Sequence, residues 1–405
     1  MARSYSLASL LIHSAGTALR GLVPAPRLIH ADRSAQPEHL VVFSQVLWHD
    51  VWGRAQEIAT RLAERLPVTY LSPTPVHRML EMRGRWRPGE EGPPRVRCPL
   101  VLPGEYRSGL VRRLNAGHAL REVRRLRAAP ERTVLFLNTP FVPALVERIP
   151  WGLVVYDWHD DFARFPWAPR SAQALERRTL AHADLFTAGT NFLAQSKRDR
   201  CGDIHFLQNG VRHEAYAECR ASRPNDLPSG FEAVVGFIGT VGDQLDVDLI
   251  EAVARALPRF AFALIGPVRL GRPLRGENIF TLGLRPHTAL PAYVRHFDVG
   301  LIPYTTGPGS EAINPTKLLE YASAGVPTVS TPLPDVVKMF GDCAAIASGA
   351  EAFAEQIRRA VGGELSDVVD RARVRARQTS WESMVQRLWG LIESAWTEGV
   401  AVSSR

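Results

Sequence analysis

The sequence predicts an α/β protein made of two similar halves, each a parallel sheet covered by helices. Three observations carry this. Short apolar runs alternate with amphipathic helical stretches along the chain, the pattern of consecutive strand–helix units. Composition breaks at residues 216–230, where Arg220, Arg223, Pro224, Asn225, Pro228 and Gly230 read as a linker. The chain has 405 residues, 45% of them hydrophobic, enough for two separate cores.

The elements follow in order. The first strand is expected at 40–43, then an amphipathic helix over 52–66 and a strand at 68–71. Residues 76–95 are rich in Arg, Gly, Pro and Glu and read as a long loop or lid. Residues 96–102 suit an edge strand, although Pro99 at its centre lacks a donor. Residues 107–127 have a helical period and an arginine-rich face. Buried strands are expected at 133–137, 153–156 and 184–187. Beyond the linker, strands are expected at 234–238, 262–265, 279–282, 298–302 and 326–330. Helices fill the gaps at 244–257, 288–296, 315–324 and 351–361. Ser380 suits the N-cap of a final helix that carries Trp381, Leu388, Trp389 and Trp396. Residues 1–37 read as an N-terminal extension. Its apolar stretch over 4–23 is interrupted by His13 and Ser14, which favours an amphipathic surface segment over an export signal.

The richest segment runs from Asn314 to Pro327. Asn314 suits an N-cap, Pro315 the first helical position and Gly325 the helix stop. A helix opened this way offers free N–H groups and a positive dipole end to a phosphate. Lys317 adds a full charge in the first turn, and Glu320 shares its face one turn deeper. Lysine to diphosphate and glutamate to ribose hydroxyls is one reading. An ordinary surface Lys–Glu pair is the other.

The segment resembles the donor-binding signature of the GT-B glycosyltransferases, family 4-like (group 1). Glu320 and Gly325-Val326-Pro327 match the second half of that signature. The usual first glutamate is replaced by Ala312, and Glu311 lies one residue out of register. The run asparagine-proline-x-lysine-leucine-x-glutamate-tyrosine is similar to a subset that builds bacterial surface polysaccharides. The resemblance implies two Rossmann-like domains facing a cleft, with the last helix crossing back to the first domain. It places an acceptor-side domain at 38–215, the linker at 216–230, a nucleotide-sugar-binding domain at 231–375 and the returning helix at 376–405. It also implies that Lys317 takes over the diphosphate contact. Gly239, Thr240, Asn314, Lys317 and Glu320 would then bind the donor.

Gly236-Phe237-Ile238-Gly239-Thr240 is a strand entering a glycine turn, which lets a ligand or another backbone approach. Asp246-Val247-Asp248 has the form of a metal-binding Asp-x-Asp. It also sits at the front of a helical pattern, where acids are ordinary. Residues 154–162 end a buried strand in Asp157, His159, Asp160 and Asp161. Ligands bind at the ends of parallel strands, and adjacent acids raise one another's pKa. Solvated loop acids, one of them a cap, are the alternative. In the resembling subset one of the paired aspartates is the acceptor-side base. Asp160 is the first candidate here and Asp161 the second, with Asp157 and His159 beside them. Trp48 to Gln56 resembles the same subset's loop. Arg54 and Gln56 would either reach the acceptor or only fix that loop.

Net charge is +8, so an anionic partner is expected: nucleotide phosphates or a membrane surface. The arginines of 107–127 form a basic amphipathic face or a solvated one. No nucleic-acid-binding motif accompanies the charge. The four cysteines have no metal-ligand spacing, which suits a reduced, cytoplasmic setting. A Gly-x-Gly-x-x-Gly fingerprint and a phosphate-loop motif are both missing, which argues against a dehydrogenase or an ATPase. The expectation is a metal-independent and cofactor-free glycosyltransferase, cytoplasmic and peripheral on the inner membrane face. Its acceptor would be a saccharide or a lipid-linked saccharide. A GT-B nucleotide-sugar epimerase and a non-catalytic GT-B partner are the alternatives.

Overall fold

A computed structural model describes residues 36–49, 52–81, 93–126, 128–162, 165, 167–307, 310–313 and 316–403. Residues 1–35 of the extension therefore lie outside the described residues, as do Asn314 and Pro315. The chain divides into two units. Among the described residues, one comprises those up to Gly189, then 193–207 and those from Val385 onward; the other comprises those of 190–192 and 208–384. The division falls near 208, ahead of the 216–230 linker expected from composition. Tyr216 and Leu227, inside that stretch, are buried in the second unit's core.

The first unit holds a seven-stranded parallel sheet. Its strands are β1 (His39–Phe43), β2 (Val68–Leu71), β4 (Arg95–Arg97), β6 (Thr133–Leu137), β7 (Leu153–Trp158), β8 (Leu185–Ala188) and β9 (His205–Phe206), in the order β4-β2-β1-β6-β7-β8-β9. A two-stranded sheet pairs β3 (Thr74–Pro75) with β5 (Leu100–Val101). β2, β6 and β7 are buried at every residue, as expected of parallel strands covered on both faces.

The second unit repeats the plan with β10 (Ala233–Ile238), β11 (Phe260–Ile265), β12 (Ile279–Gly283), β13 (Val299–Ile302), β14 (Thr328–Ser330) and β15 (Ala345–Ile346). Their order is β12-β11-β10-β13-β14-β15, all parallel. Counted within each unit, both sheets begin 3-2-1-4-5-6, the doubly wound order. Its switch point lies between β1 and β6 in the first unit and between β10 and β13 in the second. Ligands of such sheets bind at the carboxyl ends of the strands flanking that point.

Three local expectations change. Residues 76–95 are not all loop, because Val76–Glu81 is helical. The 96–102 strand is split: β4 ends at Arg97 and β5 begins at Leu100, so Pro99 falls between them, where its carbonyl accepts from the Thr74 N–H at 2.9 Å and its missing donor costs no pairing. The helices Pro334–Phe340 and Ser366–Gln378 were not expected. The final helix, Trp381–Ser403, begins as expected, with Ser380 Oγ accepting from the Ser383 N–H at 3.1 Å. Its residues from Val385 group with the first unit, where Trp396 packs on Gly152. Among the described residues no helix is long and apolar enough to cross a membrane.

Candidate active site

The second unit places Lys317 at the switch point. Gly239 ends β10 in a turn, Tyr304 follows β13, and the helix Lys317–Ala324 opens beside them. Lys317 Nζ donates to the Tyr304 hydroxyl at 2.7 Å and lies 5.3 Å from the Tyr304 ring centre and 5.6 Å from that of Phe237. Two aromatic faces thus hold the ammonium. Gly239 has φ +138°, and a Cβ there would stand 2.5 Å from Lys317 Cε. The lysine stem fills the space that the glycine leaves. Thr240 follows, half-buried.

The helix itself is locked from behind. The fully buried Tyr321 accepts from the Ile238 N–H at 3.1 Å, tying the helix to the end of β10. Gly325 closes the helix in the left-handed conformation, φ +75°, as its sequence position predicts. Glu320, half-buried, faces the buried Tyr216 hydroxyl. Burial first, and the Glu320 charge second, push that phenol well above its usual pKa. Asp246 is the N-cap of Val247–Ala256, accepting from the Leu249 N–H at 2.8 Å, and Asp248 pairs with Arg272 at 2.9 Å. Both acids have ordinary helix-front roles.

In the first unit, Asp157 is fully buried and held by Arg54. Nε donates to Oδ2 and Nη2 to Oδ1, both at 2.8 Å, and the Thr187 hydroxyl donates to Oδ1 at 2.7 Å. Arg54 also donates to the Leu207 carbonyl at 2.8 Å. Gln56, with no exposed surface, donates to the Leu47 carbonyl at 3.2 Å and accepts from the Gly53 N–H at 3.2 Å. Of the two readings of Arg54 and Gln56, these contacts support loop fixing, and Asp157 is buried with them. Arg54 and Asp157 fasten the loop after β1 to β7, Gln56 braces that loop internally, and all three are buried.

The neighbouring acids divide. Asp161 is buried and takes a bond from Lys197 Nζ at 2.9 Å. Lys197 also lies 3.8 Å from Glu176, which accepts from Trp158 Nε1 at 3.0 Å and from Arg200 at 2.7 Å. Asp161 is therefore one anchor of a closed ionic network. Asp160 keeps 40% of its side chain open. Desolvation by the surrounding protein raises its carboxyl above the ordinary range; Asp161 adds to this and His159 opposes it. His159 Nε2 is 3.3 Å from Asp160 Oδ2, and its ring meets the edge of Phe162 at 4.9 Å. An open, proton-retentive carboxyl with an imidazole beside it suits general base work.

The first unit's switch point opens into a cavity of about 250 Å³. Phe43 and Gln45 line it from the end of β1, Phe141 from the loop after β6, and Tyr106 and Arg112 from the opposite wall. Gln45 donates to the Tyr106 hydroxyl at 3.1 Å. Sequence reasoning missed this wall, as it missed Tyr304, Tyr216 and Lys197. Tyr304, two residues past a strand end, carried a readable signal. The others are long-range partners with none.

Residues 232–362 match the family Glycosyl transferases group 1. Over these residues the chain is similar to the group 1 glycosyltransferases. It is 30% identical over 230 residues to TuaH of Bacillus subtilis (strain 168), a protein whose name assigns it provisionally as a teichuronic acid biosynthesis glycosyltransferase. That match spans 52% of this chain and 58% of the Bacillus protein, little more than half of each. Among solved structures, sucrose-phosphate synthase from Thermosynechococcus elongatus is similar with a TM-score of 0.69 at 13% identity, over 89% of this chain and all of that one. Anabaena HepE in complex with UDP and glucose gives 0.63 at 15%, over 88% and 99%. A UDP-forming trehalose-phosphate synthase from Burkholderia xenovorans, in complex with glucose-6-phosphate, gives 0.65 at 14%, over 88% and 100%. These likenesses establish the GT-B fold of two Rossmann-like units.

Proposed function

We propose that this protein transfers a sugar from a nucleotide-sugar donor to a saccharide acceptor in surface polysaccharide synthesis. The observation that carries the reading is Lys317, lodged on Gly239 at the switch point of a group 1 domain. A nucleoside diphosphate there would meet a full positive charge and the opening of the helix Lys317–Ala324. Glu320, one turn deeper, suits the ribose hydroxyls. The similar Anabaena and Burkholderia proteins, bound to UDP with glucose and to a sugar phosphate, support this ligand class. The similarity to TuaH supports the polysaccharide context.

In the first unit the acceptor would enter the cavity between Gln45, Tyr106 and Phe141. Its hydroxyl oxygen forms the new bond to the anomeric carbon as the bond from that carbon to the diphosphate breaks. The hydroxyl proton passes to Asp160, and the electron pair leaves with the diphosphate, whose charge Lys317 balances. Asp161 holds the loop through Lys197 and does not take the proton. Because Lys317 supplies the charge that a cation would otherwise supply, turnover should persist in excess EDTA. The basic surface supports a peripheral position on an anionic membrane, inside the cell where nucleotide sugars are made.

A panel of nucleotide sugars tests the reading by thermal stabilisation, since a ligand of the native state raises the melting temperature by mass action. The stabilising donor is then incubated with saccharide acceptors, and product stereochemistry is read by NMR. One donor should stabilise the protein and yield a glycoside. Stabilisation by none of them would overturn the donor site. Donor hydrolysis or isomerisation independent of acceptor would overturn transfer in favour of an epimerase.

A further inference from the structure

We propose that a second cavity in the first unit binds a phosphate group carried by the acceptor. The inference rests on the transfer reading above and specifies its acceptor as a sugar phosphate or a pyrophosphate-linked sugar. The cavity, of about 510 Å³, lies between the helices Gly109–Arg124, Ala144–Glu147 and Ala172–Leu180. Four arginines line it, Arg112, Arg113, Arg148 and Arg178, against the single carboxylate of Glu147.

The charges are unevenly used. Arg178 is spent on Glu147, with Nε and Nη2 each 2.7 Å from a carboxylate oxygen. Arg112 donates to the Ser171 hydroxyl at 3.1 Å and to the Glu105 carbonyl at 3.0 Å. Both acceptors are neutral, so they fix the guanidinium in place without cancelling its charge. Arg113, one position on, is exposed at the mouth. A fixed guanidinium beside an exposed one suits a phosphate, which takes paired N–H bonds and rewards positive charge. Ser171 adds a hydroxyl just ahead of the helix Ala172–Leu180, whose first turn faces the same space.

Position argues for the acceptor as the source of that phosphate. Arg112 and Phe141 line both this cavity and the one at the switch point. From Phe141 a run of aromatic rings leads towards His159: Phe141 to Trp167 at 5.9 Å, Trp167 to Phe162 at 6.1 Å, and Phe162 to His159 at 4.9 Å. Trp167 is 45% exposed and Phe165 stacks on it at 5.3 Å. Aromatic faces of this kind pack against the apolar faces of sugar rings. A ligand anchored by phosphate at Arg112 would lay its sugar along this wall towards Asp160.

The test is direct binding, with no turnover read. Inorganic pyrophosphate is titrated calorimetrically at low salt into the full-length Lys317→Ala protein, which removes the proposed donor contact. Binding should be seen there and should weaken about tenfold in Arg112→Gln and severalfold in Arg113→Gln. Arg113 is exposed, so its variant will fold even if the Arg112 variant does not, and circular dichroism checks both. Pyrophosphate that fails to bind, or that binds both arginine variants unchanged, overturns the proposal. Binding to phosphatidylglycerol vesicles that needs Arg112 and Arg113, without pyrophosphate binding, overturns the acceptor as source and assigns the cavity to a lipid headgroup. A protein that binds pyrophosphate here but transfers no sugar keeps the cavity and loses the transfer reading.

Discussion

Gly239→Ala isolates the relation between the switch-point turn and Lys317. The glycine has φ +138°, a conformation that L-residues rarely adopt, and an added Cβ would lie 2.5 Å from Lys317 Cε and 3.1 Å from its Nζ. The backbone term alone is about 1–3 kcal/mol. The steric term is smaller in stability, because the end of a lysine side chain can move aside. Moving it is what matters for binding. Nζ would leave the Tyr304 hydroxyl, now at 2.7 Å, and the faces of Phe237 and Tyr304. A charge-assisted hydrogen bond is worth about 1.5–3 kcal/mol, so nucleoside diphosphate affinity should fall roughly 10- to 100-fold. A nucleoside without phosphates should bind as before. For a unit of this size about 1–3 kcal/mol lowers the melting temperature by roughly 2–12 °C. Calorimetric titration of diphosphate and nucleoside, with a thermal melt, reads all three quantities. Lowered stability with unchanged diphosphate affinity would refute the idea that Gly239 makes room for a phosphate-binding lysine.

The other predictions use the same geometry. Lys317→Ala should weaken diphosphate binding far more than nucleoside binding, while Glu320→Gln should discriminate ribose from deoxyribose; titration of the four ligands checks this. Asp157→Ala should cost about 3–5 kcal/mol in urea unfolding, because it strands the buried Arg54 charge, and Arg54→Met with Asp157→Leu should recover much of that. Asp160→Asn should slow turnover about a hundredfold with donor affinity unchanged. In the wild type the rate should rise with pH as Asp160 loses its proton, with a midpoint above the ordinary 3.8 because its pKa is raised, and that limb should vanish in the variant. Asp161→Asn should lower the denaturant midpoint more than the rate, since it removes the carboxylate that Lys197 holds.

What the sequence revealed, and what it hid, follows from the range of the interactions. Strands such as β6, β7 and β11 were legible because parallel strands buried on both faces need unbroken apolar runs. The turn at Gly239 and the stop at Gly325 were legible because positive φ selects glycine. Lys317 was legible through its spacing from the helix start and its distance from Glu320. The acids after β7 were legible only as a group. Asp157, Asp160 and Asp161 have the same chemistry and nearly the same position, yet the fold gives them three different environments. Strand alternation does not separate them; their partners do. Arg54 stands 103 residues from Asp157 and Lys197 36 residues from Asp161. Such partners are chosen by sheet order, which local pattern does not encode. Arg54 reads from sequence as a loop arginine that either meets a ligand or fixes its loop. The order β1-β6-β7-β8 lets it instead reach Asp157 and be consumed there. Asp160 is thus singled out by elimination: Asp157 and Asp161 are spent on buried cations, and Asp160 is left with an open face.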